Sequence, residues 1–484
     1  MGYLLRGALV VTGGRDYAAP LQADVLVKDG RIQAVGKGLA IPGEEPVEVI
    51  DLTGKAVVPG LINAHTHCYA NLVRGMGHGL PLEPWMFYAM LVGNFSMDEL
   101  RLSALLQVIE SVRTGSTAFV DHLGREYAGL DTVLATYAAT GVRATVAPMI
   151  SDRRYDQGLP VRDGDLTADE AEEFSRAKPR PAEEILAECE DLIRKWQGYG
   201  GVLGVMVGPS GPQRCSDRLL EGAAELCRKY GVGYHTHILE TRIQAEIGRY
   251  LYGKPVVEHL RDLGVLSPRA SLAHSVWLAE SEIEIIAEYG ASVVHNPVSN
   301  LTLGSGIAPL QRLRRAGVNV ALGTDGSNCG GSQAVWQSLR MAAILPRILD
   351  PEYREWPTAA EVFRMAVAGG ARIIGQEASL GEIAAGKVAD LVAINLDQTI
   401  YRPLESLVDQ MVYGETGQGV EMVMVAGRFV LRDGKMTTVD EETVLAEAGK
   451  VAASISAKRD LWMARVAKQY RGVERLYRNH WLGK

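Results

Sequence analysis

Eight apolar runs punctuate this chain at a spacing that few folds can accommodate: AVVPGLINAH, STAFVDH, RATVAPMI, VLGVMVGP, GVGYHTH, ASLAHS, ASVVHNP and NVALGTD. Each is apolar almost throughout, without the in-out alternation of a half-exposed strand, and helix-like stretches separate them. Strands that are apolar on both faces belong to a parallel sheet covered by helices on either side. Eight such repeats predict closure into a (β/α)8 TIM barrel, an α/β fold whose loops after the strands gather at one rim. The stretch 97–113 shows how the helices between them are specified. Ser96 and Glu99 form a capping box, Gly115 supplies a stop, and Leu100, Leu105, Val108 and Ile109 fall on one stripe expected to face the core.

The two ends of the chain have a different texture. Short β-rich segments alternate with turns between residues 3 and 58, with Asp29-Gly30 as a hairpin turn. The same pattern returns in GKVADLVAINL and VEMVMVAGRFVLRDGK, where Asp433-Gly434 is the turn. Both ends together are expected to build one small β-sandwich. The division that follows is 1–58 and 383–440 for the sandwich, 59–382 for the barrel, and 441–484 for a helical extension whose Arg and Lys residues form a solvated face. Residues 151–181, rich in Arg, Asp, Glu, Gly and Pro, interrupt the rhythm after the third run. They read as a long loop on the rim where barrels select substrates, or as a solvated insertion.

Composition removes several function classes. A formal net charge of -8 without a basic cluster leaves no footprint for nucleic acid. No run is long enough to span a bilayer, and MGYLLRGALVVTGGRDY lacks the basic and long apolar regions of a secretory signal. Five cysteines, odd in number and widely spaced, argue against a disulfide framework. A cytoplasmic homo-oligomer, dimer or tetramer, acting on a small molecule is expected.

Candidate chemistry sits at the strand ends. His65 and His67 close the first run, and imidazoles at i and i+2 on a strand point the same way, so both can face one ion. The fifth run ends in Tyr234-His235-Thr236-His237-Ile238-Leu239-Glu240, the sixth in His274 and the eighth in Asp325. On a closed barrel these ends converge. His65, His67, His237 and Asp325 make a nitrogen and oxygen set suited to Zn²⁺ or Fe²⁺ with a position left for water. Arg74, Trp85, Phe87, His122, Ser299 and Asn300 follow strand ends and are candidate substrate contacts. Each has a plainer reading: packing for His122, an aromatic core stripe for Trp85 and Phe87, a turn for Asn300. Cys68 and Cys329 also lie near the rim, with no adjacent base to mark either as a nucleophile.

The ordered set PGLINAHTH, LPLEPW, HTHILET, LAHSVWL, VVHNPVSNLTLGSGIAP, ALGTDG and GKVADLVAI covers nearly the whole chain. It resembles the metal-dependent amidohydrolase superfamily, in particular its cytosine, guanine and methylthioadenosine/S-adenosylhomocysteine deaminases and its triazine hydrolases. That resemblance implies a single divalent ion, Zn²⁺ with Fe²⁺ as the alternative, held by His65, His67, His237 and Asp325. It implies Glu240 as the proton shuttle, and His274 as a group that polarises substrate or holds the attacking water. The family's HxxE spacing selects His237, leaving His235 as a supporting or packed histidine. Val207-Gly208-Pro209-Ser210 ends the fourth run without the lysine that a two-metal site would use.

The expected chemistry is hydrolytic. A divalent cation lowers the pKa of a bound water from 15.7 to about 7. Hydroxide then adds to an electron-poor ring carbon bearing an amino, alkylamino or halide group. Asp325 takes a proton, Glu240 returns one to the ring nitrogen and leaving group, and His274 steadies the intermediate. Where related nucleoside deaminases place a glutamate for the ribose hydroxyls, this chain has Val92-Gly93-Asn94, and the loop Asp325-Gly326-Ser327-Asn328-Cys329-Gly330-Gly331 departs from theirs. A free triazine, pyrimidine or purine base is therefore the expected substrate. The alternatives are triazine dechlorination, nucleoside deamination, and a noncatalytic barrel, which predicts missing ligands where none of the four is missing.

Overall fold

Gly60 divides the first apolar run between two sheets. A Cβ at this position would lie 2.1 Å from the Thr117 hydroxyl, so the chain passes against the second barrel strand only as glycine. A computed structural model describes residues 2–14, 17–41 and 46–481. In it Lys55–Pro59 pairs with Leu391–Asn395 in the end-built sheet, while Leu61–His67 is the first barrel strand. The run AVVPGLINAH is thus not one strand, because Pro59 cannot donate to a central ladder and Gly60 redirects the chain.

The barrel closes through parallel pairings. Leu61–His67 pairs with Ser116–Leu123, which pairs with Arg143–Ile150. The fourth strand is broken into Leu203–Val205 and Gly208–Pro209, both paired to the third. A bridge between Val207 and Tyr234 then carries the barrel to Tyr234–Ile238, Ala270–His274, Ser292–His295 and Asn319–Leu322. Asp325–Gly326 returns to the first strand and completes the ring. Asn63, Thr66, Thr324 and Gln333 form a buried hydrogen-bond network across that joint, with Asn63 donating to Thr324 at 2.7 Å and Thr66 to Gln333 at 2.6 Å.

Among the described residues, strands from both chain ends make one nine-stranded sheet. Its two parts share a core in which Val10, Val25 and Leu52 meet Leu391 and Met424. The helix Met97–Arg113 begins with the capping box of Ser96 and Glu99. Its apolar positions divide between two partners rather than forming one core stripe. Leu100 and Val108 pack on the barrel, whereas Ile109 and Leu105 pack with Val444 of the C-terminal extension.

The extension forms two helices, Glu441–Arg465 and Ala467–Trp481, and its cations are not simply a solvated face. Lys458 donates to Glu99 at 2.8 Å, and Arg475 donates to the Asp165 carbonyl at 2.9 Å and pairs with Glu170. Residues 151–181 are likewise not a bare loop. They contain the helix Ala168–Ser175, capped by Thr167 and Glu170, and Phe174 packs with Phe87, Leu159, Val473 and Leu476.

Candidate active site

The strand ends converge as a closed barrel requires. His65 and His67 come from the first strand, His237 from the fifth, and Asp325 from the eighth. His67 Nε2 lies 3.1 Å from Asp325 Oδ1 and 3.3 Å from His237 Nε2, and His65 Nε2 is 3.7 Å from the same carboxylate oxygen. Backbone and side-chain acceptors settle which ring nitrogens are bare. His67 Nδ1 donates to the His122 carbonyl, and His237 Nδ1 to the Ser210 carbonyl at 2.6 Å.

His65 is held by side chains instead. Ser271 Oγ donates to the Tyr234 carbonyl at 3.1 Å, and it accepts from His235 Nδ1 at 2.7 Å. His235 Nε2 is then left to accept from His65 Nδ1, also at 2.7 Å. The consequence is that all three imidazoles present an Nε2 lone pair to one point. His65 Nε2 is buried and has no hydrogen-bond partner, an unmet acceptor of the kind a metal satisfies. Three imidazole nitrogens and a carboxylate oxygen at these separations fit a divalent cation.

Charge at the site follows from burial and neighbours. Burial drives His65 well below its ordinary pKa, helped by the facing histidines, so it stays neutral. Burial pushes Asp325 upward, but the neighbouring imidazoles of His67 and His274 and the Ser299 hydroxyl outweigh it and hold the carboxyl well below its usual range. Ser299 donates to Asp325 Oδ2 at 2.6 Å, leaving Oδ1 toward the imidazoles. Glu240 goes the other way. Burial, then the charges of Asp325 and Glu83, raise it well above a normal carboxyl, which biases it toward its protonated form. Its Oε1 lies 3.7 Å from His274 Nδ1.

Leu239, His274, Ser275 and Asp325 all adopt left-handed backbone, with φ between +49° and +73°. Such strain in residues other than glycine collects where side-chain aim is over-determined.

A cavity of about 480 Å³ opens onto this cluster, with His67, His237, Glu240, His274 and Asp325 on its floor. Trp85 lines the wall. Gly77, at φ +75°, passes so close that a Cβ would meet the Trp85 ring at 2.9 Å. Five other candidate contacts stand elsewhere. Arg74 pairs with Glu110 and Asn71. Phe87 is buried against Tyr155 and Tyr470. Ser299 and Asn300 act behind the floor, Asn300 accepting from His274 Nδ1 at 2.8 Å. His122 is packed beneath the ligands, its Nε2 on the Gly208 carbonyl at 3.0 Å and its carbonyl holding His67. None of these five lines the cavity. Cys68 and Cys329 are buried outside the cavity wall, and burial raises both thiols.

Several wall residues carry no motif. Glu83 is buried, accepts from the Thr241 hydroxyl at 2.6 Å, and has its second oxygen unpartnered. Tyr155 and Leu159 come from the segment 151–181, and Gln213 and Arg214 from the turn after the fourth strand. The nearness of Glu83 to Trp85 in LPLEPW and the rim position expected of residues 151–181 are the traces of this wall in the sequence.

A barrel with a cluster of histidines and a carboxylate at its C-terminal rim defines a class of metal-dependent hydrolases. The chain belongs to the amidohydrolase family, whose model matches residues 56–430. It is 33% identical over 457 residues to a 5-methylthioadenosine/S-adenosylhomocysteine deaminase of Desulforudis audaxviator, covering 93% of this chain and 98% of the relative. It is 34% identical over 461 residues to a 5′-deoxyadenosine deaminase of Methanothermobacter thermautotrophicus, covering 93% and 99%. Among solved structures, a zinc-bound adenosine deaminase from Xanthomonas campestris matches with a TM-score of 0.84 and 28% identity, covering 94% and 98% of the two chains. A zinc complex of an atrazine chlorohydrolase from Arthrobacter aurescens matches with a TM-score of 0.84 and 25% identity, covering 93% and 100%. The chain is thus a hydrolase of this metal-dependent family.

Proposed function

We propose that the protein is a zinc-dependent aminohydrolase that removes an amino group from a free N-heterocycle. The observation that carries this reading is Glu240, a buried carboxyl biased toward its protonated form on the same cavity floor as His67, His237, His274 and Asp325. That combination places a proton donor beside a metal-ligand set, which deamination of an aromatic ring requires.

A divalent ion held by His65, His67, His237 and Asp325 would supply the nucleophile at neutral pH by acidifying a water. Residues of the chain do the remaining work. Asp325, kept ionised by its neighbours, accepts the proton released there. Glu240 gives its proton to a ring nitrogen and is reprotonated from the adduct's hydroxyl as the carbonyl forms, while the proton held by Asp325 passes to the amino group, which leaves as ammonia. His274 Nε2, buried without a hydrogen-bond partner and 3.8 Å from Asp325 Oδ2, holds the reacting polar group between them. In this reading residues 59–382 carry the chemistry and the sandwich and helical extension support it.

The relatives named as adenosine-type deaminases support an aminated ring as the substrate. Val92 and Gly93 on the wall bring no carboxylate at the position the sequence marks for sugar hydroxyls, and the carboxylate oxygen that Glu83 leaves unpartnered on the same wall makes the matching nucleosides the controls for a ring without ribose. Dechlorination of a triazine is the second reading, favoured by the fold match to the chlorohydrolase.

The test is to deplete and reload the protein with Zn²⁺, then screen aminated and chlorinated purines, pyrimidines and triazines for ammonia, amine and chloride. Ammonia release is expected. Glu240→Gln should keep the metal and lose roughly 10²- to 10⁴-fold in kcat. Full turnover by that variant would remove Glu240 from the mechanism, and chloride release alone would establish the second reading.

A further inference from the structure

Three arginines line the cavity, and two of them pair with carboxylates. Arg125 donates to the Glu126 carboxylate and the Val92 carbonyl, at 2.7 Å each. Arg180 makes a two-point pair with Glu188, both bonds at 2.8 Å. Arg214 has no carboxylate partner among the described residues. Its Nη2 reaches the Arg153 carbonyl only at 3.5 Å, its Nε has no partner, and its guanidinium lies 4.9 Å over the Tyr155 ring.

Two nearby acids are otherwise placed. Asp156 is held by Arg154 through bonds of 3.1 and 2.9 Å. Glu83 accepts from Thr241 through one oxygen and nothing through the other. The surroundings nevertheless make room for the arginine, since a Cβ at Gly158 would meet Arg214 Cδ at 2.9 Å. Leu159, Ile185 and Leu192 complete an apolar wall near it. A guanidinium is always charged and presents a planar fork of donors, so half-burying it with an inaccessible, unpartnered Nε and no acid is costly until something supplies one. Burial alone already pulls Arg214 below the ordinary arginine value.

We propose that Arg214 is a specificity residue that receives an anionic group on an arm of the substrate, so that the preferred substrates are amino-heterocycles bearing an acidic substituent. A carboxylate matches the planar fork two-to-two, and a phosphonate shares the charge with a tetrahedral shape. Stacking on Tyr155 fixes the plane of the fork, and the wall around it excludes water that would otherwise screen the pair. The identity of the ring rests on the aminohydrolase reading, whereas the anion preference does not.

The experiment uses the full-length, zinc-loaded protein carrying Glu240→Gln, so that binding is read without turnover. The probes are adenines with an N9 arm of two to four carbons ending in a carboxylate, a phosphonate or a neutral primary amide, titrated calorimetrically. The best acid should bind roughly 10- to 100-fold more tightly than its amide. Arg214→Gln and Arg214→Met should bring that ratio close to one, and Arg214→Lys, which keeps the charge without the fork, should retain part of it. The carboxylate-to-phosphonate order identifies the anion. A ratio near one in the parent, a ratio that survives both neutral substitutions, or failure of every acid to bind would each overturn the proposal. Thermal unfolding of the variants separates lost affinity from lost structure. If the enzyme with Glu240 intact releases no ammonia from any of these probes, the deaminase reading fails while the binding ratio still decides Arg214.

Discussion

His235 shows what a single residue contributes when it touches neither substrate nor metal. Two of the candidate ligands, His67 and His237, are oriented by backbone carbonyls that no substitution removes. His65 depends on the side-chain relay through His235 and Ser271. His235→Leu should therefore weaken zinc binding by about 10- to 100-fold, the usual effect of deleting a partner behind a metal ligand. His235→Gln, whose side-chain oxygen stands near the position of the lost Nε2, should recover most of it. Competition against a chromogenic chelator measures both, and equal affinity in all three proteins would show that His65 needs no relay. The same pair of histidines marks the limit of legibility at this scale. HxxE spacing separates His237 from His235, because strand geometry and neighbouring residues are local. Glu83, Tyr155 and Arg214 carry no such pattern, since a turn or helix residue faces the cavity only once distant segments have packed. Arg74 illustrates the converse: it follows the metal pair closely, yet Glu110 on the helix Met97–Arg113 captures it.

At the scale of elements, the barrel strands were readable because burial on both faces forces a continuous apolar run, and the helix Met97–Arg113 because its capping box is written in adjacent residues. Breaks in the strands were less visible. The fourth strand is interrupted around Val207, and the eighth returns to the first over only Asp325 and Gly326. The strand ladder is shortest at these joints, and the candidate ligands span one of them: His65 and His67 lie on the first strand and Asp325 on the eighth, with His237 across the barrel. A bound ion is thus a cross-link at the closure of the ring as well as a reagent. Chelation should destabilise the protein accordingly. With free metal at a hundred times its Kd, binding contributes about 2.7 kcal/mol, so the depleted protein should unfold at a measurably lower temperature in calorimetry and recover on reloading. Hydrogen exchange should speed first at Asp325–Gly326 and the end of the first strand. A melting temperature indifferent to metal would mean that the ligand set does not bind an ion in the folded barrel.

For the whole molecule, the least legible feature is what the C-terminal extension does. Its periodicity announces helices but not their partners, and its cations look like ordinary solvated charge until they meet acids on distant segments. In the structure the extension holds two of the segments that wall the cavity. Trp462 Nε1 donates to the Phe87 carbonyl at 2.6 Å, one helix turn from Glu83 and Trp85. Val473 and Leu476, both fully buried, close a cluster with Phe87 from that helix and with Leu159 and Phe174 from residues 151–181. The end of the chain therefore fixes loops that would otherwise be joined to the barrel only at their roots. Leu476→Ala removes packing from this cluster and leaves every candidate ligand in place. Such a deletion costs about 2–5 kcal/mol in a well-packed core. Here the loss should fall on the wall, because the barrel has its own core and its own hydrogen-bonded closure. Amide exchange should accelerate in residues 82–89 and 155–175 while the barrel strands keep their protection, zinc content should stay at the parent level, and KM should rise. Exchange that accelerates uniformly across the barrel would instead make the extension part of one cooperative unit with the metal site.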